Sequence, residues 1–401
     1  MPIGSDKGNF IKPGVDPLAA GTGQYSGNWN LQTQGQAVGA YTWPGVVIPT
    51  ELYSWGYNSQ GQLGDGTLTT RSSPVQIGAL NTWLKVGSGF RHGLSVKTDG
   101  TLWAWGNNGD GQLGQGNITN YSSPVQVGAL TNWSKSDGGQ YFTAAIKTDG
   151  TLWMWGSNGK GQLGQGNITK RSSPVQVGAL TTWSDVACST ENVLAIKTDG
   201  TLWAWGLNTN GQLGQGNVTN YSSPVQVGAL TNWSTIGVGQ YYWSVATKTD
   251  GTLWTWGYNG QGQLGLGNQT YYSSPVQVGA LTTWSKATGG NYHTLAIKTD
   301  GTFWSCGNNI RGELGLGDTV SRSSPVQVGA LTDWINISAG SYLTAATKTD
   351  GTLWTCGRNG SGQLGLGNTT YRSSPTQVGT LTTWVYIACG ESQIIATNSI
   401  L

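Results

Sequence analysis

Charge is what this chain lacks most. Lys, Arg, Asp and Glu make up only 9% of its 401 residues, and the formal net charge is +2. Globular domains usually carry about 25%. No basic run is present, so nothing can track a phosphate backbone, and a nucleic-acid partner is not expected. Histidine is nearly absent, with only His92 and His293. No set of His, Cys, Asp and Glu stands at triad or metal-ligand spacing. We therefore expect no enzyme, no metal and no cofactor. The four cysteines, Cys188, Cys306, Cys356 and Cys389, do not form a disulfide pattern. Cys306 and Cys356 hold corresponding places one repeat apart, where packed sheets stand about 10 Å from each other, beyond the disulfide reach of about 7 Å. They are expected to be buried free thiols. No eighteen-residue apolar run exists, so no membrane span is expected. The opening residues, MPIGSDKGNF, lack the charged and apolar regions of a secretory signal, so folding in a cytoplasm is expected. No 3.6-residue period appears, which argues against helices.

What is abundant is glycine (65 residues), tryptophan (21 residues) and repetition. The segment LYSWG at Leu52 has counterparts at Leu102, Leu152, Leu202, Leu253, Phe303 and Leu353. A second ruler runs through Trp83, Trp133, Trp183, Trp233, Trp284, Trp334 and Trp384. Both advance by 50 residues, with one step of 51. A period of this length marks a propeller or solenoid. Each unit reads as four short strands. In the unit that opens at Trp83 these are LKVGSG, GLSVK, TLWAWG and PVQV. Strands two and three meet at Asp99-Gly100, and the pair recurs through Asp350-Gly351. Asp-Gly between β-like runs predicts a tight hairpin with positive φ at both residues. These aspartates are therefore turn formers rather than catalytic acids. First strands are built from small residues and third strands carry paired tryptophans. That gradient suits a propeller, narrow at its axis and wide between blades. The last unit stops after two strands, and the two it lacks lie at Leu52 and Pro74. One composite blade from both termini should close the ring and remove its open edges.

The pattern LWxWGxNxxGQLGxG, followed by SSPVQVGxL and the Asp-Gly hairpin, resembles the regulator of chromosome condensation repeat family. The resemblance covers residues 52–401 in seven copies. It implies an all-β, seven-bladed propeller that acts as an interaction platform. The chain departs from the exchange-factor type within that family, since it is nearly uncharged and has no basic tail.

The repeats disagree with one another mainly in two loops. The turn after the first strand reads GFRH, GQYF, STEN, GQYYW, GNYH, GSYL and GESQ. The tip of the loop between strands three and four also varies. Alternating strand direction places both loop sets on one face of the disc. The candidate binding face is Phe90, Arg91, Tyr141, Phe142, Tyr241, Tyr242, Trp243, Tyr292 and Tyr342. Tyr, Trp and Arg are enriched in binding hot spots. The same aromatics could instead plug the central channel. By contrast, His92 and His293 sit at equivalent repeat positions and read as packing residues.

Residues 1–51 precede the repeat. They combine prolines with apolar anchors, among them Phe10, Ile11, Trp29 and Trp43. This composition suggests an extended docking arm that orders on something larger. Taken together, the expectation is a non-catalytic adhesive protein, resembling a bacteriophage virion component such as a capsid decoration, tail part or host-binding appendage. The arm would join it to other proteins of the assembly. The loop face would take a host-surface protein or glycan. Its place would be the virion, after folding in the host cytoplasm. The alternative is a soluble, cytoplasmic regulator or inhibitor that presents the same face to one protein.

Overall fold

The computed structural model of the protein describes residues 50–400. The expected anchors Phe10, Ile11, Trp29 and Trp43 lie outside these residues. Twenty-eight strands form seven four-stranded antiparallel sheets, and no helix occurs among the described residues. The sheet that opens at Trp83 is blade 1. Its strands are Trp83–Ser88, His92–Lys97, Leu102–Gly106 and Tyr121–Gln126, paired in chain order. Blades 2 to 6 open at Trp133, Trp183, Trp233, Trp284 and Trp334.

Blade 7 is composite. Trp384–Cys389 and Gln393–Ser399 supply its inner half, and Thr50–Gly56 and Arg71–Gln76 its outer half. The two chain ends pair antiparallel over seven residues, from Thr50 opposite Ser399 to Gly56 opposite Gln393. The expected closure is therefore present.

The sequence gradient becomes a packing gradient. First strands line an axial channel of about 250 Å³. The second tryptophan of each third strand is fully buried, as at Trp105, Trp155, Trp205 and Trp256. Each reaches back one blade. The Trp155 indole N–H donates to the Gln112 carbonyl at 2.8 Å, and Trp205 donates to Gln162 at 2.9 Å. Where cysteine replaces this tryptophan, the Cys306 thiol faces the Gln263 carbonyl at 3.7 Å. All four cysteines are buried free thiols. Burial pushes Cys306 and Cys389 up to about 12, so neither is a nucleophile at neutral pH.

The first tryptophan of the same strand builds a second motif. Lys97 lies 3.7 Å above the Trp103 ring and 4.5 Å above Trp83. The arrangement recurs in blades 1 to 6 through Lys348. A cation held between indoles is stabilised by the ring quadrupoles, which explains how these lysines tolerate burial.

One expectation needs correcting. Only the glycine of each Asp-Gly hairpin takes positive φ, as Gly100 does at +76°. Gly100 N–H bonds the Lys97 carbonyl, and Lys97 N–H bonds Thr101. This is a three-residue loop with glycine in the left-handed position, not a mirror-image two-residue turn. The aspartate contributes through its side chain instead. Asp99 Oδ1 accepts from the Thr101 hydroxyl at 2.6 Å and its amide at 2.9 Å. These bonds hold the carboxyl below its usual range.

Candidate binding face

The two variable loop sets do share a face. In blade 1 the Asn107 amide, which leaves the third strand, donates to the Arg91 carbonyl of the first loop at 2.8 Å. The free edge of each sheet, its fourth strand, stays on the rim.

Position within the first loop decides what each side chain does. His92, Phe142, Asn192, Trp243, His293, Leu343 and Gln393 all open second strands. This column points between blades. Phe142 and Trp243 are fully buried, and Phe90 is 7% exposed and lines the channel. These three belong to the scaffold and are removed from the expected contact surface. The glycines of the neighbouring first strand make room for them. A Cβ on Gly289 would stand 2.4 Å from the Trp243 ring.

The histidines share that column. His92 Nε2 lies 3.0 Å from the Thr143 hydroxyl, which itself donates to the Gln112 carbonyl. His92 must therefore donate through Nε2, as a neutral ring. Burial lowers both histidines to about 3. Their contribution to stability is complete above pH 6.5 and is lost as pH falls toward 3. Because blade 2 uses phenylalanine at this position, His92→Phe is expected to fold and to lose less melting temperature between pH 7 and pH 4 than wild type. Thermal melts across that range check it; an equal loss in both proteins contradicts the assignment.

The middle of the loop faces outward. Arg91, Tyr141, Tyr241, Tyr242, Tyr292 and Tyr342 are half-buried or exposed. Arg91 pairs with Glu391 at 2.8 Å, across the blade 1–blade 7 junction. Blade 4 carries the extra residue of the 51-residue step. It places Tyr242 at φ 65°, the one non-glycine in this region among the described residues. Tyrosine is strained there.

Four of these tyrosines join into a belt over blades 4 to 6. Tyr241 stacks on Tyr292 at 5.1 Å and meets Tyr242 edge-on at 5.8 Å. Tyr292 continues to Tyr342 at 6.3 Å. The sequence reading missed the second loop set's share. Tyr258 contacts both Tyr292 and Tyr271, and the Arg311 guanidinium lies 6.0 Å from Tyr342 and 5.7 Å from Tyr371. Tyr141 and Arg91 lie outside these ring contacts.

Under the belt sits a second missed residue. Six repeats have a buried glutamine after the Asn-x-x-Gly turn; blade 5 has Glu313. Glu313 is 0% exposed, and burial raises its carboxyl to about 7. Oε2 accepts the Arg311 amide at 2.8 Å, while Oε1 has no partner. A carboxyl raised in this way is least unfavourable below pH 4.5, and stability falls as pH climbs to about 7. Glu313→Gln restores the common residue. It is expected to stabilise the disc at pH 8 by up to about 3 kcal/mol, the equivalent of the shift, and to change nothing at pH 4. Urea unfolding at both pH values tests this; equal stability at pH 8 contradicts it.

Among the described residues, no group of three or more His, Cys, Asp or Glu could hold a metal ion. No helix there is long and apolar enough to cross a membrane.

A closed ring of seven four-stranded blades, with repeated sheets and divergent loops on one face, defines a seven-bladed β-propeller. The regulator of chromosome condensation repeat matches at residues 51–96, 99–146, 149–196, 199–245, 250–297, 300–347 and 350–396. The chain belongs to that repeat family. Among solved structures it is similar to Prp20p from Saccharomyces cerevisiae, described with its binding to Gsp1p and histones. Identity is 21% and the TM-score 0.78, covering 89% of this chain and 93% of that one. Human WBSCR16 is similar at 20% identity and TM-score 0.79, covering 88% of this chain and 100% of that one. Both share the fold. A search of curated proteins finds no match.

Proposed function

We propose that this chain is a non-catalytic binding protein that holds a partner on its tyrosine-bearing loop face. The observation that carries this reading is where the repeats diverge. Sheets and turns are nearly identical between blades, yet one face gathers tyrosines into a contiguous belt on three of them. Tyrosine offers a large, amphipathic contact surface at small entropic cost, as in antibody loops. The protein-binding description of Prp20p agrees with a partner of this kind.

The finer reading is a component of a larger assembly, a bacteriophage virion, attached through residues 1–51. The chain's path supports a division of labour. Thr50 pairs with Ser399, is bridged to Thr82, and bonds the Trp83 carbonyl. It therefore enters the disc on the face opposite the belt. Attachment and recognition would not compete for surface. The alternative, a soluble regulator, uses the same belt without the attachment.

In the full-length chain, Tyr241→Ala with Tyr292→Ala is expected to leave the melting temperature nearly unchanged and to weaken partner binding about thirtyfold or more, as aromatic hot spots do. Trp29→Ala with Trp43→Ala should spare that binding and reduce incorporation into particles. Binding that survives the tyrosine pair sinks the face assignment; normal incorporation of the tryptophan pair sinks the attachment.

A further inference from the structure

Two guanidiniums at the belt, Arg311 and Arg358, form no ion pair among the described residues. Among the described residues, the Arg311 guanidinium bonds the Tyr371 hydroxyl at 3.4 Å and lies against the Tyr342 and Tyr371 rings. Arg358 donates its backbone amide to the Tyr342 carbonyl at 2.8 Å, while its Nε is buried without a partner. Arg91 on this face is paired with a carboxylate, and at the rim Arg71 and Arg322 are paired while Arg171 and Arg372 are not. In a chain with so little charge, two unpaired arginines converging on one tyrosine, Tyr342, form a distinct chemical feature. The fields of both act on its hydroxyl.

Arg311 is exposed and open to a ligand, whereas Arg358 is half-buried and its Nε is shielded from water; a guanidinium nitrogen left so is unfavourable unless a ligand supplies the anion. The planar fork of arginine matches a carboxylate. Beside it, Tyr342 and Tyr371 present rings for stacking. No sheet edge reaches this face, so an extended peptide finds no main-chain pairing here. A carboxylate carried on a ring with one apolar face fits better than a carboxylate on a flexible chain.

We propose that Arg311, Arg358, Tyr342 and Tyr371 form a subsite for an acidic sugar, a uronic or sialic acid residue of a glycan. The inference rests on the loop face being the binding surface. Glu313 tunes the subsite from below. The charged or titratable groups that face it are Arg311 on its own loop and Tyr342 and Cys356 from blade 6. When ionised, Glu313 opposes a ligand carboxylate; when protonated, it leaves the arginine field uncompensated. Sugar binding should therefore strengthen as pH falls from 8 to 6.

The test is calorimetric titration of the full-length protein with glucuronate- and N-acetylneuraminate-terminated oligosaccharides. A neutral glucose oligomer and a glutamate-rich peptide serve as comparisons. Acidic sugars are expected to bind at least about tenfold tighter than the neutral one, the value of one charge-assisted hydrogen bond. Arg311→Gln and Arg358→Gln should each remove that preference without lowering the melting temperature. Glu313→Gln should bind acidic sugar at pH 8 as tightly as wild type does at pH 6, with no pH dependence. Equal affinity for acidic and neutral sugars, or binding of the acidic peptide in their place, overturns the subsite while leaving the loop face as the binding surface. Acidic-sugar binding unchanged in Arg311→Gln and in Tyr241→Ala with Tyr292→Ala overturns both.

Discussion

Deletion of residues 384–401 is expected to abolish cooperative folding of the whole disc, not merely of one blade. Trp384–Cys389 and Gln393–Ser399 are the inner strands of blade 7. Ile394, Ile395 and Ala396 are fully buried, and Ile394 packs with Trp55 and Trp384 in one cluster. Trp384 also meets Tyr53 at 5.5 Å and Trp55 at 5.8 Å. Removing the two strands leaves Thr50–Gly56 with an unpaired edge and opens the ring between blades 6 and 1. Several fully buried side chains would go with them, and burial of each is worth roughly 1.5–3 kcal/mol. Their sum rivals a total stability of about 5–15 kcal/mol. Size-exclusion chromatography and near-ultraviolet circular dichroism are expected to show aggregated or unfolded protein. A monomer with an unchanged melting temperature would contradict closure by the two termini.

The second large effect is expected at Trp243. Its ring is fully buried between blades 4 and 5, and its N–H donates to the Asn291 carbonyl at 3.2 Å. Truncation to alanine leaves a cavity that Gly239 and Gly289 have no side chains to fill. Such changes cost about 3–5 kcal/mol. Tyr241→Ala, two residues earlier but half-exposed, should cost under about 1 kcal/mol. Chemical denaturation of the two variants side by side separates a scaffold residue from a face residue. Equal losses would mean that the loop positions have been misassigned.

That contrast also marks how far the sequence could be read. The blades, their number, the composite closure, the turn aspartates and the free thiols all follow from a period that repeats seven times. The face was legible only in outline. Phe142 and Trp243 stand in the same column as His92 and His293, which the sequence already identifies as packing positions. In blade 4 the inserted tyrosine shifts the spacing and hides that alignment. Which loop residue points outward depends on the bend of the turn, and no composition reports it. Tyr258, Tyr271, Arg311 and Tyr371 come from the second loop set, whose variability was visible but whose contact with the first required coordinates. Glu313 was detectable as the single break in a glutamine column. Its unpartnered oxygen and its place under Tyr342 were not. The docking-arm anchors lie outside the described residues and remain a proposal from composition.

The most direct test of the loop face is hydroxyl-radical footprinting of the full-length protein, free and bound in its native assembly. Protection on binding is predicted to concentrate at Tyr241, Tyr292, Tyr342 and Tyr371, with Tyr121 and Tyr221 on the rim labelled equally in both states. Equal labelling of the belt in both states, with protection confined to other surfaces, would contradict it.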